Sequence, residues 1–121
     1  MRKEDCVTFE RVAAQGDLMI IRMPDDFVIP SNYKEVKAKE HYVVAHSETG
    51  HHHVVDVENV KYYQDPKDML TAYLVVEDII GKAMKHLRSY DTHKPVWLPK
   101  GTHKLRRQEE YTPQGWRRVE D

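Results

Sequence analysis

Apolar and polar residues alternate along most of this chain with a period of two, and turn-forming residues interrupt the pattern every few positions. A period of two places successive side chains on opposite faces of a strand, whereas a helix would need a stripe every three or four residues. Val7-Thr8-Phe9-Glu10-Arg11-Val12 reads as a first strand, Gln15-Gly16-Asp17 as a turn, and Leu18 to Met23 as a second, more buried strand. Residues 24–39 read as a polar connection broken by Pro24, Pro30, Ser31 and Asn32. Tyr42 to His46 is a third strand, and Ser47-Glu48-Thr49-Gly50 turns it back into His51 to Val57, a hairpin. Val60 to Tyr63 continues the sheet.

Asp65-Pro66-Lys67-Asp68-Met69-Leu70 reads as a short helical turn, with Asp65 as cap and Pro66 at the first helical position. Ala72 to Glu77 is an apolar strand. Ile79 to Arg88 fits either a helix with Ile80, Met84 and Leu87 on one face or a strand-and-loop excursion. Val96-Trp97-Leu98, then Thr102 to Gln108 after the Pro99-Lys100-Gly101 turn, are further strands. Trp116 to Val119 closes the sheet after Thr112-Pro113-Gln114-Gly115. The expectation is a mostly-β single domain over residues 1–121, a small β-barrel or β-sandwich with one or two short helices.

Composition narrows the function classes. Hydrophobic residues make up 40% of 121, enough for a thin core. In a small domain this favours added stability from a metal or from a homo-oligomer interface. No apolar run approaches the roughly 18 residues that span a membrane. The charged opening, Met1-Arg2-Lys3-Glu4-Asp5-Cys6, does not read as a secretory leader. One cysteine excludes an internal disulfide framework and thiolate-rich zinc sites, so a reducing cytoplasm is expected.

The histidines carry the chemistry. His51 and His53 of Gly50-His51-His52-His53 share one face of the expected strand, and His52 points to the other. Two imidazoles side by side on a strand form half of a metal site. The pair needs one distant partner: His93 stands in a loop before a strand with Asp91 available to orient it, and Glu77 is a candidate fourth ligand or general base. His46 lies across the expected hairpin and could sit near His51, His103 follows the Pro99-Lys100-Gly101 turn, His86 falls in the ambiguous segment, and His41 and His52 read as surface residues. Imidazole suits zinc, iron, nickel and manganese, so the cofactor is read as a divalent metal ion of unassigned identity. Enzymes use such a metal to activate water or dioxygen. No residue pattern here selects a substrate.

A second reading comes from charge. The net charge of -1 hides a basic segment from Lys94 to Arg118, with seven Lys or Arg against Glu109 and Glu110. Lys104, Arg106, Arg117 and Trp116 in that segment form a candidate nucleic-acid face, basic residues interleaved with aromatics. Arg106 and Arg107, as strand neighbours, face opposite ways, and Tyr111 packs across the hairpin on Trp116.

Two resemblances add to this. His51-His52-His53 and Pro99-Lys100-Gly101-Thr102-His103 are similar to the HxH and PxG…His motifs of cupins, which implies a β-barrel metal site with His103 as a ligand. The Glu that cupins place after HxH would be Glu58, at a longer spacing, and the cupin Asn is absent. Gln15-Gly16-Asp17, Thr49-Gly50-His51-His52-His53 and Leu98-Pro99-Lys100-Gly101-Thr102 resemble a family of small bacterial and phage proteins without an assigned activity. So does Arg107-Gln108-Glu109-Glu110-Tyr111-Thr112-Pro113-Gln114-Gly115-Trp116-Arg117-Arg118-Val119. The family pattern is QGD, TGHxH, a His-Pro element and LPxGxYxVxRQxEY. It implies His51, His53 and His93 as the histidine set, and this chain has Tyr90 where the family frequently has a further histidine.

Overall fold

A computed structural model of the chain describes residues 2–15, 18–45, 53–86, 94–107, 109–112 and 115–118, with only the backbone described at Ala45, Met69, His86, 109–112 and 115–118. The fold is mostly β, and among the described residues the helix is a single 3-10 turn at Lys3–Asp5. The strands are β1 (Val12–Gln15), β2 (Leu18–Arg22), β3 (Lys34–Val36), β4 (His41–Ala45), β5 (His53–Asp56) and β6 (Val60–Asp65). There follow β7 (Asp68–Val76), β8 (Lys82–His86), β9 (Val96–Leu98), β10 (Gly101–Arg107), β11 (Glu109–Thr112) and β12 (Gly115–Arg118).

Two antiparallel sheets face each other. One has the order β1-β2-β10-β7-β6-β3 and the other β4-β5-β8-β9. Among the described residues the sheets do not join into a closed barrel, so the fold is a sandwich. Alternate residues of each strand fill the space between them: Leu18, Ile20, Leu105, Leu74 and Tyr62 from one sheet, and Tyr42, Val55, Met84, Val96 and Leu98 from the other. Each fully buried aliphatic contributes roughly 2 kcal/mol. Two tyrosines stitch the layers. The Tyr42 hydroxyl donates to Val60 O at 3.0 Å and the Tyr62 hydroxyl to Val44 O at 3.4 Å, with the two rings 5.6 Å apart.

Four local expectations are corrected. The first strand begins later than Val7–Val12. Gln15 pairs with Leu18 and Val12 with Ile21, so the ladder to β2 takes in Val12 to Gln15 and not Val7 to Arg11. Val7 instead makes a parallel bridge to Val96, lengthening the edge of the four-stranded sheet. The polar connection over 24–39 contains the edge strand β3, paired with β6. The expected helical turn at Asp65 is a β-hairpin turn: Asp65 pairs with Asp68, and Asp65 Oδ1 accepts the Lys67 N–H at 2.9 Å. Asp followed by Pro suits the first two positions of a β-turn as well as it suits a helix start. Finally, among the described residues β12 joins neither sheet and pairs with β11.

The ambiguous segment resolves as strand β8, with Met84 fully buried and Ile80 in solvent. The expected hairpin forms between β4 and β5, with Ala45 opposite His53.

Candidate functional site

Polar side chains gather at one end of the interior. There Gln15, His53 and Arg107 are buried polar residues. Gln15 pairs with Leu18, which in turn pairs with Arg107, so these positions form one row across β1, β2 and β10. Directly opposed residues share a face. Gln15 and Arg107 therefore line the inner surface of the six-stranded sheet, while Arg106 lies outside with Nη1 donating to Thr71 Oγ1 at 2.6 Å.

From that row the Gln15 side chain crosses to the opposite sheet. Its Nε2 donates to Met84 O at 3.2 Å and to Lys94 O at 2.9 Å. Two carbonyl acceptors fix the amide orientation, so Oε1 faces His53 Nδ1 at 2.7 Å as an acceptor. The His53 proton is then on Nδ1, and in the neutral ring the acceptor lone pair is on Nε2. This arrangement, an imidazole donating one ring N–H to a carbonyl oxygen, orients metal-ligating histidines. Tyr62 stands beside Arg107. Burial pushes its hydroxyl well above the usual tyrosine range, and the guanidinium charge pulls part of that shift back.

Three histidine-bearing segments thus meet at Gln15. His53 is bonded directly, Met84 lies two residues before His86, and Lys94 follows His93. The backbone of His86 is also the cross-strand partner of His53. His51 and His93 lie outside the described residues, as do His46 and His52. Among the described residues, no group of three or more His, Cys, Asp or Glu is close enough to hold a metal ion.

The other expected site residues lie elsewhere. Glu77 follows the far end of β7, exposed, with its carboxylate 3.9 Å from Lys61 Nζ. Arg106 pairs with Thr71, so the row of Gln15 meets β7 near residue 70, about 20 Å from Glu77 along the strand. His103 is four residues from Arg107 along β10, about 13 Å. It is fully buried, and its Nε2 donates to Pro99 O at 2.8 Å. Lys104 and Arg106 share the outer face of β10. Trp116 pairs with Tyr111 and Arg117 with Glu110 in the β11–β12 hairpin, where side chains lie outside the described residues.

Residues 14–108 match a family described as Domain of unknown function (DUF8820). The chain belongs to this family. No curated relative and no solved structure matches the chain. The matched span contains Gln15, both inner sheet faces and the segments that meet at Gln15.

Sequence reasoning missed Gln15, which read as part of a turn, and His86, which lay in the ambiguous segment. The signal for His86 was present: a strand over Lys82–His86 puts positions 84 and 86 on one face. Gln15 carried no such signal. Its partners are 38, 69 and 79 residues away along the chain.

Proposed function

We propose that this protein binds a divalent metal ion at the Gln15 end of the sandwich, through His53 together with His51 and His93, and with His86 as a further candidate ligand. The observation that carries this reading is the Gln15 amide, which holds the His53 ring and the Lys94 backbone at once. The residue before Lys94 is His93, and consecutive Cα atoms are 3.8 Å apart. The residue two before His53 is His51, on the same strand face if β5 is extended. A histidine whose Nδ1 proton is held by an oxygen acceptor ligates metals through Nε2. Zinc, iron, nickel and manganese all accept such ligands. Glu77, at the far end of β7, is left out of this set.

The test is metal analysis of protein purified without a histidine tag, followed by titration of metal-stripped protein with each ion. One ion per chain, with affinity lowered by His51→Ala and by His93→Ala and unchanged by His52→Ala, supports the site. Protein that takes up none of the four ions at micromolar concentration rejects it.

A second reading, a module that binds nucleic acid through Lys104, Arg106, Arg117 and Trp116, draws on Lys104 and Arg106 sharing one outward face. Arg106 is engaged by Thr71 and has Asp68 nearby, which weakens it as a phosphate contact. Metal binding is therefore preferred.

A further inference from the structure

The opposite end of the sandwich carries an independent feature. Between β7 and β8 the chain makes a tight turn, Asp78 to Gly81, that holds two isoleucines in solvent. Ile79 is 84% exposed and Ile80 76%. Four contacts set this turn. Asp78 Oδ1 accepts the Ile80 N–H at 2.9 Å, and the Gly81 N–H donates to Asp78 O at 3.1 Å. The Trp97 indole N–H donates to Ile80 O at 3.2 Å, and Lys82 Nζ lies 3.7 Å from Asp78. Gly81 has φ +104°, and a Cβ there would come within 2.6 Å of Trp97 Nε1. The isoleucines are therefore presented by a preorganised turn.

Beside the turn runs an open groove of about 320 Å³, where the chain passes from β9 to β10. Its walls are Ile79, Ile80, Phe9 and Trp97, and its charges are Lys3, Arg22 and Lys100. Among the described residues that line it, none is acidic. Behind Phe9 and Pro99 lies His103, whose ring is 6.0 Å from that of Phe9. Its Nδ1 is buried with no hydrogen-bond partner. Groups of this kind are uncommon in a folded interior.

We propose that this groove docks an acidic peptide segment of a partner protein, its carboxylates meeting Lys3, Arg22 and Lys100 and its apolar side chains packing on Ile79, Ile80 and Phe9. Charge complementarity commits the site to an anionic occupant, because three cations line one groove with no carboxylate among the described lining residues. The apolar walls require that occupant to carry apolar side chains as well. A segment seated in the groove is favoured over a flat anionic bilayer. Glu4 and Asp78 adjoin the lining residues Lys3 and Ile79 in the chain, so a broad anionic surface meets acidic neighbours that a narrow segment along the cations can avoid. The rigid turn leaves little ordering entropy to be lost on binding.

The test is selection from a library of short random peptides displayed against the full chain, with affinities then measured by fluorescence anisotropy. The proposal predicts peptides enriched in Asp and Glu next to Leu, Ile or Phe, and binding that weakens with added salt. Affinity should fall about tenfold or more in Arg22→Glu/Lys100→Glu and in Ile79→Ser/Ile80→Ser. These are exposed positions, so both variants should melt at the wild-type temperature and keep the wild-type metal content. Selected peptides without acidic enrichment, binding indifferent to both variants, or no peptide selected would each overturn the proposal. So would tighter binding to phosphatidylserine vesicles than to any selected peptide.

Discussion

Gln15 accepts the Nδ1 proton of His53 at 2.7 Å across the interior of the sandwich, so that one side chain from the six-stranded sheet sets the ring orientation of a histidine in the other. Every polar atom of that amide is used, two N–H donors on backbone carbonyls and the oxygen on an imidazole. The geometry makes Gln15 a structural tie and a positioning residue together.

The first prediction separates those two roles. Gln15→Leu removes three hydrogen bonds, two of them buried, at a cost of roughly 2–4 kcal/mol. The loss is read by urea denaturation. Gln15→Glu keeps the acceptor for His53 and should restore more metal affinity than stability, because the imidazole stays oriented while the two carbonyls lose their donors. Equal recovery of both quantities would assign Gln15 to packing alone.

The second prediction is a pH dependence. Burial holds the His103 imidazole below its ordinary pKa, the hydrogen bond to Pro99 works against that shift, and the Arg22 charge adds to it. The folded state thus binds a proton less readily than the unfolded state. Below the unfolded histidine pKa of about 6.5, unfolding takes up a proton at this site, so stability is fully present above that pH and declines as pH falls toward the folded value. His103→Gln, which retains a donor for Pro99, should flatten the acid side of the stability profile. An unchanged slope would place the titration elsewhere.

Third, Gly81→Ala should destabilise by roughly 2–3 kcal/mol, since a φ of +104° strains any residue with a Cβ and the new atom collides with the Trp97 indole. The indole N–H bond to Ile80 O should break with it. A shift in Trp97 fluorescence measures this in a Trp116→Phe background.

These positions differ in how far the sequence alone reveals them. The β4–β5 hairpin and the opposite facing of Arg106 and Arg107 follow from alternation and turn chemistry, which are local. The edge strand Lys34-Glu35-Val36 was hidden because two of its three residues are charged and a proline-rich stretch precedes it. Only its pairing with β6 makes it a strand. At Ile79 to Arg88, Ile80 and Met84 stand four apart, as on a helix, yet one is in solvent and the other in the core. Spacing could not tell them apart. The candidate site was half legible: the HxH pair is written in the chain, but its support is a glutamine whose partners come from three distant segments.

The last prediction decides between the two readings of function. If Lys104, Arg106 and Arg117 contact phosphates, binding to single- or double-stranded nucleic acid should weaken steeply with salt, because each contact releases a counterion. Replacing the three with Ala should then reduce that slope by about three on a log–log plot while metal content stays constant. If the chain is a metal-binding protein, the triple variant should be nearly silent toward the ion, and His51→Ala and His93→Ala should abolish stoichiometric loading. Metal loading is the expected outcome. The chain as a whole carries a net charge of -1, and register places Arg117 opposite Glu110 and Arg118 opposite Glu109, so the basic segment is partly neutralised along its own hairpin. Salt-sensitive, micromolar nucleic-acid binding near physiological ionic strength, by protein that takes up no metal, would reverse the assignment.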